Sequence, residues 1–332
     1  MNLQFPTIEP VPGSIKRPFW SVMIPTYNDA KYLAKTLESV LLQDPGADIM
    51  QIEVVDDCST AGDIEALVQE IGRGRVAFYR QPKNLGLLAN WDACIQRSRG
   101  HWIHLLHQDD FVLPGFYNRL RQGIEQETSV GAAFCRNVYV DEDSNWQSLS
   151  NLEQKTPGIL TDWIERISVT QLVQFPAIVV KRLTYEKLGG FCPQARSAAD
   201  WEMWRRIAVH YPIWYEPQLL ACFRLHSNST SSGLIQRGEN IADTRLSIDV
   251  ACTYLPPDIA QKATQEAKKR FAFQALTTAR QLLGQNQLNG AIAQWREGVR
   301  CSVSPNVIKS SIFVGLLIGQ KWVQKKLQGG PI

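Results

Sequence analysis

The stretch Trp20–Gln43, WSVMIPTYNDAKYLAKTLESVLLQ, contains the change of hydrophobic period that decides the fold. Its first residues form a short apolar run that stops at Pro25, which predicts a buried strand. Beyond Asn28 and Asp29, apolar residues recur at spacings of three and four, which predicts a helix. A strand that leads directly into a helix is the first half of a βαβ unit.

The same pattern recurs further along the chain. The segment IEVVDDCST predicts a strand that ends in two aspartates, and the helical DIEALVQEI follows it. VAFYRQ, NWDACIQRS and HWIHLL then predict a third strand, a third helix and a fourth strand. Because parallel strands need crossover helices, this alternation predicts an α/β fold with a mainly parallel sheet. AAFCRNVYVDED and AIVVKRLTYEKLGGF predict further strands, with which the sheet becomes mixed.

The chain divides into three regions by composition. The prolines of residues 1–18 predict an extended leader, and residues 19–234 carry the strand and helix alternation. From residue 235 to residue 332 the pattern is helical, with one break at Gly284–Asn289. We therefore expect an α/β domain followed by a helical C-terminal region.

Composition and charge narrow the class of protein. A hydrophobic content of 44%, a charged content of 20% and a formal net charge of +3 are those of a globular domain, and they argue against a nucleic-acid partner. The seven cysteines are dispersed and form no C-x-x-C pair, which argues against a disulfide framework and a zinc site. These features predict a cytoplasmic protein.

The segment SSIFVGLLIGQKWVQKKL near the C-terminus joins an apolar run to Trp322 and several lysines. The run is shorter than the roughly 20 residues that a membrane-spanning helix needs. Two interpretations stay open: a terminal helix that packs on its own domain, or peripheral contact with the inner face of the cell membrane.

Aspartates follow two of the predicted strands, as Asp56 with Asp57 and as Asp109 with Asp110. The carboxyl ends of parallel strands form the crevice in which α/β proteins bind ligands. Adjacent carboxylates repel each other, so a folded protein tolerates them where water solvates them or a cation lies between them. Mg²⁺ takes one or two carboxylates together with substrate phosphate oxygens, which favours a metal-bound diphosphate here.

The motifs SVMIPTYND, EVVDDCST, NLGLLANWDACIQRSRGHWIHLLHQDD, ADWEMW and FRLHSNSTS occur in that order over residues 19–232. Together they resemble the family-2 glycosyltransferases. The resemblance implies a GT-A fold related to the Rossmann fold, and an inverting transferase. It also implies a nucleotide-sugar donor, most often with uracil as the base, and bound Mn²⁺ or Mg²⁺. The acceptor would be a hydroxyl of a glycan or of a lipid-linked molecule, as in the synthesis of cell-surface polysaccharides.

The resemblance assigns roles position by position. The donor-binding residues would be Pro25, Thr26, Tyr27, Asp56, Asp57, Asn84, Gly86, Asn90, Asp109 and Arg224. Asp57 would meet the base edge, Asp109 the ribose side of the donor, and Arg224 would offset phosphate charge. Asp110 would ligate the metal and His226 would be a further metal contact.

The catalytic base implied by the resemblance is Asp200 in SAADWEMW, with Glu202 as the alternative. Such a base removes a proton from the attacking hydroxyl. Family sequences often carry Glu where Ala199 stands here, which leaves this assignment open. Trp201, beside the base, is a candidate for stacking on a sugar ring.

Two other interpretations remain at this stage. A nucleotidyltransferase can use a similar fold and cation, although PTYNDAKYL lacks the glycine-rich basic loop of such enzymes. A degenerate protein that binds a sugar nucleotide without turning it over is the non-enzyme alternative. The histidines at 101, 104 and 107 recur every third residue, which does not place them on one face of a strand, so we expect them to be structural.

Overall fold

The computed structural model describes residues 3–227 and 230–327, so Asn228 and Ser229 of the last motif lie outside it, as do the outermost residues of both terminal regions. Its centre is a sheet of ten strands. The strands are β1 (Trp20–Thr26), β2 (Met50–Asp56), β3 (Ala77–Arg80), β4 (Trp102–Leu105), β5 (Phe111–Val112), β6 (Ala132–Val140), β7 (Trp146–Leu149), β8 (Gly158–Ile159), β9 (Ile178–Lys181) and β10 (Ile213–Arg224).

Twelve α-helices connect and extend the sheet within the described ranges. They are α1 (Leu33–Leu41), α2 (Ile64–Gly72), α3 (Leu87–Arg97), α4 (Phe116–Gln126), α5 (Trp163–Val169), α6 (Arg182–Leu188), α7 (Ala199–His210), α8 (Thr230–Arg237), α9 (Glu239–Ala251), α10 (Pro257–Gly284), α11 (Leu288–Cys301) and α12 (Pro305–Leu327). Short 3₁₀ helices over Phe175–Ala177 and Pro193–Ala198 precede β9 and α7.

The sheet order is β3-β2-β1-β4-β9-β6-β10-β5, with β7 beside β6 and β8 beside β10. The first four strands in this order are parallel, and β9 enters antiparallel between β4 and β6. β6 and β10 are parallel to each other, whereas β5 runs antiparallel to β10. The mainly parallel, mixed sheet expected from the sequence is confirmed.

Hydrophobic cores cover both faces of the sheet because successive residues of a strand point to opposite sides. Val22 and Ile24 of β1 pack with α1, whereas Met23 between them faces the core that contains α3. Buried residues on both faces explain why these strands are continuous apolar runs rather than alternating ones.

The aspartates of the QDD motif lie beyond a strand rather than within it. β4 ends at Leu105, and the chain turns through residues 106–110 before β5 begins. β1, β2 and β4 are neighbours in the sheet, so Thr26, Asp56 and this turn meet at one edge. The fold therefore brings the polar strand ends together, as the crevice rule requires.

The C-terminal helices pack on the α/β part rather than apart from it. Trp201 of α7 lies against Phe271 of α10 with ring centroids 5.1 Å apart, and both belong to one continuous core. α10 ends at Gly284 and α11 begins at Leu288, which confirms the predicted break. The boundaries 18 and 234 stay predictions. Within the described ranges, no helix combines the length and apolar character that crossing a bilayer requires.

Candidate active site

Two adjoining cavities open at the carboxyl edge of the sheet. The first has a volume of about 280 Å³ and the second of about 420 Å³. Both are lined by Leu87, Trp91, His107 and Asp109, so these residues form the boundary between the two spaces. A ligand with two parts can therefore occupy one cavity and present its reacting end to the other.

The first cavity collects most of the predicted donor-binding residues. Its lining includes Pro25, Thr26, Tyr27, Asp57, Asn84, Gly86, Asn90 and Asp109. Tyr27 is half exposed, and its backbone N–H donates to Gln108 Oε1 at 3.0 Å, which holds the loop after β1 against the turn after β4. Strand ends that are far apart in the sequence thus form one wall.

Asp57 organises the start of α3. Its carboxylate accepts hydrogen bonds from the backbone N–H groups of Leu85, at 2.7 Å, and Gly86, at 2.9 Å. Gly86 has a φ of +84°, a conformation that suits glycine, and it occupies the N-cap position of α3. Asn90, one turn into the helix, donates to Val55 O at 3.0 Å. Charge-assisted hydrogen bonds to the Asp57 carboxylate therefore fix the loop beside the first cavity.

Asp56 differs from its neighbour because it does not line either cavity. Its side chain is fully buried, where it accepts bonds from Arg80 Nε at 2.7 Å and from the Ser59 hydroxyl at 2.5 Å. Its oxygens hold the loop that carries Cys58 and Ser59, and the predicted contact of Asp56 with the donor stays a prediction.

A cluster of possible metal ligands lies at the boundary of the cavities. One ligand atom from each of His107, Asp109 and Asp110 lies within 4.8 Å of the others. Asp110 is 1% exposed and lies beneath the cavity surface, whereas Asp109 reaches both cavities. His107, which we expected to be structural from its spacing, belongs to this cluster, and its position between β4 and Asp109 was the signal available in the sequence.

Unsatisfied atoms in the cluster fit a cation. Asp110 Oδ2 and His107 Nε2 are both buried without a hydrogen-bond partner, which ordinarily costs free energy. Burial, and then the charge of Asp109, raise the pKa of Asp110 well above its usual value. Burial lowers the pKa of His107, which keeps the imidazole in the neutral form that binds metals. A divalent cation among these atoms would satisfy both of them and offset the repulsion between the carboxylates.

Arg224 positions the two aspartates. Its backbone N–H donates to Asp110 Oδ1 at 2.9 Å, and its Nε donates to the carbonyl of Asp109 at 2.9 Å. Its Nη1 donates to the carbonyls of Asp141 and Glu142, and the side chain is 2% exposed. Backbone carbonyls thus surround the guanidinium, and the role of Arg224 in offsetting phosphate charge stays a prediction.

His226 reaches the same pair from the other side. Its Nε2 lies 3.0 Å from Asp109 Oδ2, and its ring lies against Tyr32. Burial alone would raise the pKa of Asp109, but the hydrogen bond with His226 brings it below the usual value. His226 thus adjoins the cluster through Asp109.

Asp200 lines the second cavity from the first turn of α7. Its Oδ2 accepts a hydrogen bond from Gln171 Nε2 at 2.5 Å, which orients the carboxylate. Burial raises its pKa to about 6, against the lowering effects of the bonds from Trp201 N and Gln171. A carboxylate with this pKa takes up protons more readily than an ordinary aspartate, as a general base must.

Neither of the other residues considered around Asp200 lines the cavity. Glu202 is fully buried and forms a two-pronged ion pair with Arg206, so it is not accessible as a base. Trp201 is 1% exposed, and its Nε1 donates to the carbonyl of Ile167, so the sugar-stacking expectation is wrong. One residue further along a helix turns the side chain by about 100°, which places these neighbours in the core. His104 is buried between Tyr117 and the carbonyl of Pro176 and is structural, as predicted.

Comparison with known proteins places this geometry in a family. Residues 21–184, which contain the strand ends and the QDD turn, match the family described as Glycosyl transferase family 2. A relative from Methanocaldococcus jannaschii, the uncharacterized glycosyltransferase MJ1057, is 24% identical over 219 residues. That match covers 64% of this chain and 73% of the relative.

Solved structures share the fold over nearly the whole chain. TarS residues 1–349 from S. aureus, in complex with UDP-GlcNAc, gives a TM-score of 0.65 at 18% identity and covers 94% of this chain and 92% of that one. The mannosyltransferase PcManGT from Pyrobaculum calidifontis, in complex with GDP-Man and Mn²⁺, gives 0.57 at 18% identity and covers 98% and 91%. The GT-A-like fold expected from the motifs is therefore confirmed, and the chain is an enzyme that belongs to family 2 of the glycosyltransferases.

Proposed function

We propose that this enzyme transfers a sugar, with inversion, from a nucleotide-diphosphate donor to a hydroxyl of a glycan or lipid-linked acceptor, assisted by Mn²⁺ or Mg²⁺. The observation that carries the proposal is the boundary between the cavities. His107 and Asp109 line both spaces, and Asp200 lines the second one alone. A donor in the first cavity would direct its anomeric carbon past this boundary toward an acceptor beside Asp200.

The donor half of the proposal rests on the first cavity. Pro25, Thr26, Tyr27 and Asn84 line it, and Asp57 and Gly86 supply a helix start against which a nucleoside can pack. TarS was solved with UDP-GlcNAc and PcManGT with GDP-Man, so related folds hold nucleotide sugars. For this chain we propose a UDP or dTDP sugar, with Asp57 near the base edge.

Metal assistance follows from the charges that line the cavities. Among the described residues, no Lys or Arg lines the first cavity, and the lining of the second contains Arg224 alone, whose guanidinium is occupied. A diphosphate carries at least two negative charges and would here meet the carboxylates of Asp57 and Asp109. A divalent cation held by Asp110, Asp109 and His107, with His226 beside them, would stabilise the departing diphosphate.

In the proposed sugar transfer, Asp200 and Gln171 act on the acceptor side. The bond between the anomeric carbon and the diphosphate oxygen breaks, and its electron pair leaves with the diphosphate. The acceptor hydroxyl attacks the opposite face of that carbon while Asp200 takes its proton. Gln171 holds the carboxylate in place by its hydrogen bond of 2.5 Å.

Thermal stability against a panel of nucleotide diphosphates, each with Mn²⁺ or with chelator, tests the donor site. A ligand at 100 times its Kd stabilises the folded state by about 2.7 kcal/mol, which for a chain of this size is a rise of roughly 4 °C. We expect a metal-dependent rise with one nucleotide, and its loss in Asp110→Asn.

The matched control is Asp92→Asn. Asp92 is a mainly buried carboxyl with a pKa raised to about 6, but it accepts a bond from Phe191 N outside both cavities. This variant should keep the nucleotide response. Absence of any metal-dependent response in the wild type would refute the donor site. Binding without donor turnover would instead support a protein that only binds sugar nucleotides.

We also propose that α12 contacts the inner face of the cell membrane. Its outward side carries an apolar stripe at helical spacing, formed by Ile308, Ile312, Leu316, Val323 and Leu327. Val307, Val314 and Ile318 on the opposite side pack into the core, so the stripe is additional to what the fold needs. Lys309, Lys321, Lys325 and Lys326 complement anionic headgroups, and no acidic residue occurs in the helix.

The free cysteines support a reducing, cytoplasmic compartment.

Co-sedimentation with vesicles tests this contact. We expect binding to phosphatidylcholine vesicles that contain 30% phosphatidylglycerol, and little binding without the anionic lipid. Ile312→Ser with Leu316→Ser should abolish binding. Leu42→Ser, at an apolar residue that is 84% exposed at the C-terminal cap of α1, is the control and should bind normally. Binding that survives the double substitution would contradict the proposal.

A further inference from the structure

The wall of the second cavity contains many uncharged polar side chains. Beyond Asp200, its wall contains uncharged amide and hydroxyl side chains, namely Gln171, Gln174, Ser197, Asn240, Thr244 and Gln274. An amide carries both donors and an acceptor, and a hydroxyl group can act as either. Sugar hydroxyls also donate and accept, so this wall matches them in kind.

Aromatic rings form the other part of the wall. Trp91, Phe175, Phe223 and Phe271 line the second cavity, and they come from four different segments of the chain. The ring centroids of Phe223 and Tyr139 are 5.9 Å apart, and the Tyr139 hydroxyl accepts a hydrogen bond from Gln174. Polar and aromatic groups therefore alternate along the wall. Sugar rings present apolar C–H faces between their hydroxyls, and such faces pack on aromatic rings.

The charges around this cavity exclude an anion. Asp109 and Asp200 line it, and the guanidinium of Arg224 is already bonded to backbone carbonyls. No other Lys or Arg belongs to its lining as far as the structure describes the chain. A carboxylate or phosphate placed here would lose hydration and meet two carboxylates against one guanidinium, whose N–H groups already donate to backbone carbonyls. The charge of a bound divalent cation would already be offset by the donor diphosphate.

From these contacts we infer that the second cavity is an acceptor site for an uncharged sugar unit, and that acceptors bearing a carboxylate or phosphate on that unit are rejected. The inference rests on the proposed function, which it deepens by giving the chemical class of the acceptor. Rejection comes from the excess of carboxylates, Asp109 and Asp200, over the single guanidinium of Arg224 in the lining, so one new cation should reverse it.

Saturation-transfer NMR on the full chain, with Mg²⁺ and the nucleotide diphosphate from the thermal panel, tests the inference. The probes are matched pairs: glucose with glucuronate, galactose with galacturonate, and mannose with mannose 6-phosphate. We expect at least one neutral hexose to bind at least tenfold more tightly than its anionic counterpart. The bound nucleotide is monitored in the same samples as the control for the donor site.

Gln274→Lys provides the reversal. Gln274 lies on the exposed side of α10 at the wall of the second cavity, so a lysine there adds a cation without burying it. We expect the anionic counterpart to gain at least fivefold in affinity while the neutral sugar changes little. Gln265→Lys is the matched control, because it adds the same charge to an exposed position on the opposite side of the same helix, away from the cavity lining.

The outcomes separate the two proposals. Equal binding of neutral and anionic sugars, no binding by any hexose, or an equal gain in Gln265→Lys would each overturn the acceptor inference while leaving the donor site intact. Loss of nucleotide binding in the wild type would overturn the proposed function and the acceptor inference with it. Selective neutral binding that Gln274→Lys alone relaxes would support the inference.

Discussion

Asp200 carries a charge that the folded protein pays for in stability. Its pKa rises from 3.8 to about 6 on folding because burial disfavours the carboxylate. Between these values the folded state holds a proton that the unfolded state has released, so stability falls as the pH rises. At about 1.4 kcal/mol per unit, the full penalty above pH 6 is at most roughly 3 kcal/mol. Removing this charge should therefore stabilise the fold and abolish the chemistry.

Asp200→Asn should raise the free energy of unfolding at pH 7.5 by about 1–3 kcal/mol, because Gln171 can turn its amide to accept from the new NH₂ while the asparagine oxygen keeps the bond from Trp201 N. It should lower the transfer rate by roughly 10²–10⁴-fold. Urea denaturation at pH 5, 6 and 7.5 measures the first effect, and the gain should shrink towards pH 5. Asp92→Asn is the control: it should also raise the free energy of unfolding, because the pKa of Asp92 is raised to about 6. It should leave the transfer rate unchanged, because Asp92 lies outside both cavities. An Asp200→Asn variant that is less stable than the wild type at every pH would show that the ionised Asp200 does not destabilise the folded protein.

The same carboxylate sets an acid limit on activity. The base must be ionised to accept a proton, so kcat/KM should fall about tenfold per pH unit below pH 6, where Asp200 becomes protonated. Above pH 6 this group imposes no limit. Initial rates between pH 4.5 and 8.5, at fixed metal concentration, give the profile. A flat profile down to pH 4.5 would exclude Asp200 as the base.

The sequence predicted where a residue lies when its position in a motif also fixes the direction of its side chain. Asp109 and Asp110 lie together among the possible metal ligands, since a turn after a strand leaves little freedom, whereas His226, the other predicted ligand, contacts Asp109 from outside that group. His107 and Trp201 differ from expectation because their surroundings come from distant segments. Arg224, likewise, is surrounded by the carbonyls of residues 109, 141 and 142, and nothing local to position 224 indicates those partners.

At the scale of elements, the start of α3 depends on Asp57. Two backbone N–H groups share its carboxylate. Asp57→Asn would leave one of these part-buried donors facing an amide NH₂, which costs about 1 kcal/mol. We expect that loss of stability in urea denaturation, together with weaker nucleotide binding in the thermal panel, because Gly86 and Asn84 would shift at the first cavity.

Asp63→Asn is the control for that experiment. Asp63 caps α2 by accepting a bond from Ala66 N at 3.0 Å, on an exposed helix that lines neither cavity. Asparagine is as good an N-cap as aspartate, so we expect a change of only a few tenths of a kcal/mol and normal nucleotide binding. Equal effects of the two variants would mean that Asp57 acts only as a cap.

The predicted elements were most accurate where a hydrophobic period extends over several residues. β1, β2 and α1 follow the predicted order because seven to nine residues express a period. β5 and β8 have two residues each, and β7 exposes all four of its residues, so none of them carries a pattern that predicts a strand. Pairing with β10 and β6 creates these strands, and pairing is a property of the folded sheet.

At the scale of the whole molecule, the C-terminal helices complete both the core and the second cavity. Phe271 and Gln274 of α10 line that cavity, and Phe271 also packs on Trp201 beside Asp200. Asp243 of α9 accepts a bond from the Ser197 hydroxyl at 2.7 Å, just before α7. The α/β part therefore depends on these helices to position α7, which carries the proposed base.

A chain that ends at Leu234 should consequently lose cooperative folding, even though it contains every motif of the family. Truncation there removes α9 to α12 and the end of α8, and it exposes the apolar surface around Trp201, which is 1% exposed in the whole protein and packs on Phe271. Each large apolar side chain that becomes exposed costs about 1.5–3 kcal/mol, and a few of them are enough to offset the roughly 5–15 kcal/mol that typically stabilises a domain. Near-ultraviolet circular dichroism and calorimetry should show one cooperative transition for the full chain and none for the truncated one. A truncated protein that melts cooperatively and still shows the metal-dependent nucleotide response would instead establish an independent domain over residues 19–234, with the helices as a separate addition.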